Sequence, residues 1–162
     1  MTTLELFAFA VNLVAALGCG LIAGVFFAFS SFVMRALGRL HASGGIAAMQ
    51  SINVAVLNPV FLGTFVGTAL VCVFAMIAAL LTWHDHQSVC MLVGGVLYLA
   101  GTFLVTIAFN VPLNNELAVV TPQDNEGANV WANYRVKWTA WNHVRTAAAL
   151  AAAASFTLAL CR

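Results

Sequence analysis

From Leu6 to Met34 no residue carries a charge, and only Asn12 and the pair Ser30 and Ser31 break the apolar run. A stretch of this kind restricts the fold severely, because a bilayer core about 30 Å thick is crossed by about 20 apolar residues in a helix. Three more such runs follow, from Ile52 to Trp83, from Val89 to Phe109 and from Trp138 to Leu160. Hydrophobic residues make up 63% of the chain and charged residues 7%, with a mean hydropathy of +0.99. Soluble domains carry roughly 25% charged residues, so this chain cannot cover a water-facing surface. The expected fold is all-α: a single integral membrane domain over residues 1–162, a four-helix bundle with up-down topology. Its helices are expected near 5–35, 54–83, 88–110 and 137–161.

The remaining composition removes several function classes. A net charge of +1 with scattered basic residues excludes nucleic acid as a partner. Cys19, Cys72, Cys90 and Cys161 sit singly with no C-x-x-C spacing, so neither a redox motif nor a zinc knuckle is suggested. The first residues hold Glu5 and no Lys or Arg, and the run behind them is too long for a signal peptide. The first segment is therefore expected to remain as a membrane helix. Gly20 and Gly24 form a small-xxx-small pair, which permits close helix packing or a homo-oligomer face.

Arg35, Arg39, Arg135 and Lys137 flank the first and third connections, whereas the termini and middle connection hold only Arg162. The excess predicts that the first and third connections are cytoplasmic and both termini extracytoplasmic. His84, Asp85 and His86 invite a metal reading, but too few further ligands lie on that side, and a solvated turn is expected.

Polar residues inside a bilayer are costly and mark function. Their densest cluster here opens the last run. On a helix, Tyr134, Trp138, Trp141 and Arg145 share a face, Asn142 lies beside it, and His143 points away from Asn142. Arg145 lies about 10 Å deeper than Trp138 and needs an acceptor. Glu116 is the nearest in sequence, then the amide oxygens of Asn110 and Asn114. These two asparagines flank Pro112 at the exit of the third helix, and Asn53 and Asn58 mark the comparable level of the second. With up-down topology all converge at one mouth of the bundle. The alternatives are separate helix caps for the asparagines and an interfacial belt for the aromatics.

The segments Ala23 to Met34 (AGVFFAFSSFVM), Ala48 to Asn53 (AMQSIN) with Asn58 and Pro59, Asn110 to Asn114 (NVPLN) and Trp138 to Arg145 (WTAWNHVR) together resemble the DUF1772 proteins. This is the anthrone oxygenase-like family of small bacterial and fungal membrane proteins, and the resemblance runs from Gly18 to Ala159. Arg35 departs from it, standing where a proline is expected.

The resemblance implies a four-helix membrane fold. For some members it also implies oxygenation of an anthrone, a small apolar aromatic ketone, to an anthraquinone. In that chemistry His143 would be the base, and Arg145, Asn142, Asn110 and Asn114 would stabilise an oxyanion. Trp138 and Trp141 would stack on flat rings, and Asn53 and Asn58 would complete the substrate-binding set. Three readings stay open: a cofactor-independent oxygenase, a non-catalytic membrane module that binds or moves a small apolar molecule, and a metal or haem enzyme with His143 as a ligand.

Overall fold

A computed structural model describes residues 3–83, 85–123 and 126–161. It is all-helical among those residues. Helix α1 (Thr3–Ala28) runs on through a π-helical turn (Phe29–Val33) into α2 (Met34–Leu37), making one rod. Helix α3 (Ala42–Ala55) precedes α4 (Pro59–Leu81). Helix α5 (Asp85–Tyr98) continues through two π-helical segments (Leu99–Leu104 and Thr106–Asn110) into α6 (Val111–Ala118), and α7 (Gly127–Leu158) closes the chain.

Three stretches are long and apolar enough to cross a membrane: Glu5–Leu37, Pro59–Leu81 and His86–Ala118. The first and third have 33 residues each, about 50 Å at 1.5 Å per residue, so they overrun the hydrocarbon core. Helix α7, with 32 residues, is as long but more polar. It is not among the three spans, because its Asn, His, Lys and Arg residues lower its hydropathy; of these Asn142 and Arg145 are buried, whereas Asn129, Asn133, Lys137 and His143 are exposed. Helix α1 packs on α4 and α7, and α5 packs on the same two, which closes a ring of four helices.

The boundaries depart from the expected ones for local reasons. The polar segment after His41 is helical from Ala42, so the second apolar run is split into α3 and α4 instead of starting one helix at 54. The break is built by Asn58 and Pro59. The Asn58 side chain accepts from Phe61 N at 2.9 Å and donates to Ala55 O at 2.9 Å. Proline at the first helical position forfeits a donor that would be unpaired anyway. The third helix does not stop at 110 but extends to Ala118. Pro112 sits just after the π-helical register, a common companion of a proline that displaces the preceding turn. The fourth begins at Gly127, not 137, so Asn129, Asn133, Arg135 and Lys137 are helical.

Lipid offers no hydrophobic drive between helices, so association depends on close contact. Small residues provide it. A Cβ on Gly101 would lie 2.5 Å from Ala148 Cβ, and one on Gly94 would lie 2.9 Å from the Phe156 ring. Along α1, Ala15, Cys19, Ile22 and Phe26 form the inward stripe, while Leu13, Leu17 and Leu21 on the other face are exposed. The Cys19 thiol meets that of Cys72 across the α1–α4 contact. A second core at the other end gathers Met34, Ile46, Met49, Leu117, Trp131, Tyr134 and Trp138. Gln50 ties α3 to the third helix there, donating to Leu117 O and Val120 O, both at 2.9 Å.

Candidate functional site

The inward stripe of α7 is Trp131, Tyr134, Trp138, Asn142, Arg145 and Ala149. Arg145 is 5% exposed. Its Nε donates to Asn142 Oδ1 at 2.9 Å, and its Nη1 stands 3.4 Å from Thr106 Oγ1. The guanidinium carbon lies 3.9 Å from the Phe26 ring centroid and 4.8 Å from that of Trp138. Amides, hydroxyls and ring faces stabilise a cation without neutralising it.

Asn142 is fully buried behind Arg145. Its Nδ2 donates to Phe26 O at 2.8 Å and to Ser30 Oγ at 2.7 Å, which leaves Oδ1 for the guanidinium. Ser30 in turn meets Thr146 Oγ1 at 3.1 Å. All three π-helical segments touch this stretch of α7. Ser30 comes from the first, Thr102 donates from the second to Arg145 O at 3.3 Å, and Thr106 and Asn110 come from the third. Widened turns of this kind cluster at functional sites, because they re-aim side chains within a helix.

Asn110 Nδ2 donates to Trp138 O at 3.2 Å, while its buried Oδ1 has no partner. Asn114 Oδ1 accepts from Tyr134 Oη at 2.9 Å and from Trp138 Nε1 at 2.8 Å, which fixes both aromatic rings. Asn53 stands beside the Tyr134 hydroxyl, yet its buried Nδ2 makes no regular hydrogen bond.

In front of these groups lies a cavity of about 590 Å³. Its aromatic wall includes Phe26, Phe29, Phe61, Phe65 and Phe103, and its polar edge comprises Gln50, Asn53, Thr106, Asn114, Asn115 and Arg145, with Trp138 between them. The space accommodates a flat molecule of several rings, since ligand pockets run from about 300 to 1,000 Å³.

Several residues chosen from sequence stand elsewhere. Asn58 is exposed and caps α4. His143 is exposed, because it lies about 140° round the helix from Trp138. Trp141, about 60° from Trp138, falls at the edge of the inward stripe and outside the cavity. It stacks on Phe109 with centroids 3.6 Å apart and planes 7° apart. Asn110 and Asn142 support the site from behind and do not line the cavity. Arg145 meets Asn142 and Thr106 instead of Glu116, Asn110 or Asn114, and Glu116 is exposed. His84 lies outside the described residues; His86 is exposed, and the Asp85 side chain also lies outside the description.

Sequence reasoning missed Phe26, Ser30 and Thr106. The Ser30–Ser31 interruption of an otherwise apolar run was a usable signal. Phe26 had none, because a phenylalanine facing a cavity reads like one facing lipid.

Fold and site together define an integral membrane helical bundle with an internal aromatic cavity bounded by a buried arginine. A family model described as Anthrone oxygenase matches residues 58–155. That is more than half of the chain, and the protein belongs to this family. The match runs from α4 into α7 and leaves out α1 and the π-helical turn after it, which supply Phe26 and Ser30 to the site. No curated protein and no solved structure matches the chain.

Proposed function

We propose that the cavity binds a flat, apolar aromatic ketone and that the protein oxygenates it as an anthrone is oxygenated to an anthraquinone. The observation that carries this reading is Arg145: a buried cation whose partners among the described residues are neutral, set in the wall of an aromatic cavity. Such a charge is costly in a membrane and is best compensated by an anion arriving with the ligand.

An anthrone ionises at its benzylic carbon, and the charge moves to the ring oxygen. Arg145 beside that oxygen would stabilise the anion and raise the fraction ionised. The electron-rich carbon then forms a bond to dioxygen. Loss of the second benzylic hydrogen with cleavage of the O–O bond yields the quinone and one water, so ketone plus O₂ balances without another reductant. Trp138 and the phenylalanines would hold the rings flat. His143 lies outside the cavity, so the proton is assigned to solvent and not to that imidazole.

Oxygen uptake by purified protein with 1,8-dihydroxyanthrone tests the reading. Stoichiometric uptake that depends on Arg145 supports it. Binding without uptake favours the non-catalytic module, and a Soret band or stoichiometric iron or copper favours a metal or haem enzyme. The basic flanks support an orientation with extracytoplasmic termini. Open space above Gly20 and Gly24 supports a packing face for a homo-oligomer.

A further inference from the structure

Helix α4 packs along α5 and still touches the Leu99–Leu104 segment, but makes no extensive contact with Thr106–Asn110 or with α6. The two helices therefore diverge, and the cavity fills the wedge between them. Leu62 and Val66 line it from α4, and Ile107 and Val111 line it from the third span. These four residues are 38%, 42%, 51% and 41% exposed, so each borders both the cavity and the outside. All are apolar and all sit within membrane-spanning stretches. The opening is thus bounded by apolar residues of two spans on the outer, lipid-facing side of the bundle. The rim continues onto α3, where Val54 and Leu57 line the cavity and are also exposed.

Of the polar groups that line the cavity, Arg145 is buried, whereas Asn115 is exposed. Arg145 emerges from α7 at the back, between Phe26 and Trp138. A molecule lying in this space would place an anionic oxygen at Arg145 and an apolar body towards the lipid. Leu62, Val66, Ile107 and Val111 offer no polar group to replace a ligand's hydration, so passage between them favours a molecule already partitioned into lipid.

We infer that the ligand reaches Arg145 sideways out of the bilayer, between α4 and the third span, and that its class is a planar, lipid-partitioning aromatic acid held at Arg145 as its monoanion. This rests on the cavity being the ligand site, but not on any oxygenation occurring there. Leu62, Val66, Ile107 and Val111 form the portal, so they set how fast a ligand passes and not how tightly it is held.

The test uses 9-anthracenecarboxylate, a flat fluorescent monoanion with no benzylic C–H to oxygenate. Its anisotropy is followed by stopped flow with the full chain in phosphatidylcholine vesicles of varied lipid content. The association rate is expected to follow the mole fraction of the fluorophore in the bilayer, and Arg145→Ala should abolish binding. A plugged variant, Leu62→Trp with Ile107→Trp, should slow association and dissociation together by about tenfold while the Kd stays within about threefold. Leu70→Trp, on the lipid face of the same helix but outside the cavity, should behave like the unaltered protein. Association that follows the aqueous concentration, or a plugged variant with unaltered rates, would overturn the portal. Absence of Arg145-dependent binding would remove the anion site as well. Oxygen uptake with an anthrone is read separately, so the portal and the oxygenase chemistry fail independently.

Discussion

The guanidinium of Arg145 is held by two weak arrangements: neutral hydrogen bonds to Asn142 and Thr106, and the faces of Phe26 and Trp138. Lysine reproduces neither the planar fork nor the stacking geometry. Arg145→Ala should lower turnover by at least about 100-fold, and Arg145→Lys should fail to restore it, as measured by oxygen uptake. His143 offers the sharpest test between sequence and structure. With its ring outside the cavity, His143→Ala should retain turnover within about twofold, and a much larger loss would return the imidazole to the reaction as its base. Asn114 acts at the same scale but on stability. Asn114→Leu strands the Tyr134 and Trp138 donors, at about 1–3 kcal/mol each, and should lower the thermal unfolding midpoint in detergent.

Between helices, glycines divide into those that are covered and those that are open. Gly101 faces Ala148 across the contact between the third span and α7, whereas Gly20 has nothing within 4 Å. Gly101→Leu should destabilise the bundle by about 1–3 kcal/mol through overpacking. Gly20→Leu should leave the isolated protomer's midpoint unchanged, and a shift there confined to an oligomeric fraction would locate a subunit contact at α1. The same element scale explains the split of the second apolar run. Hydropathy continues smoothly through Ile52 to Trp83, but Asn58 and Pro59 supply a cap and a helix start, and these override it.

At the scale of the whole molecule, ring closure of α1, α4, α5 and α7 fixes which ends lie together. The exposed positions Gly44 and Glu126 should label from one side of the membrane, and His86 from the other, when each is replaced by cysteine in a cysteine-free background. Joint labelling of Gly44→Cys and His86→Cys from one side would contradict the up-down arrangement. Should the pairing hold with the sides reversed, only the charge-based orientation fails.

Much of this architecture is written in the chain. Hydropathy over about 20 residues is a local property, so the spans and their number of charges predict membrane helices without reference to any neighbour. Helical periodicity likewise placed Tyr134, Trp138 and Arg145 on one inward stripe, and the Asn-x-Pro-Leu-Asn and Trp-x-x-Trp-Asn-x-x-Arg pieces carried the family resemblance. What periodicity leaves open is the rotation of each helix against the others. Trp141 lies only about 60° from Trp138, yet the position of Phe109 on another helix takes it out of the cavity. Arg145 finds its side-chain partners in Asn142 on its own helix and in Thr106, whose hydroxyl a π-helical segment brings to that level. The cavity itself had no signature in the chain. A phenylalanine facing lipid and one facing a void inside the bundle are equally apolar, and only the divergence of α4 from the third span distinguishes them.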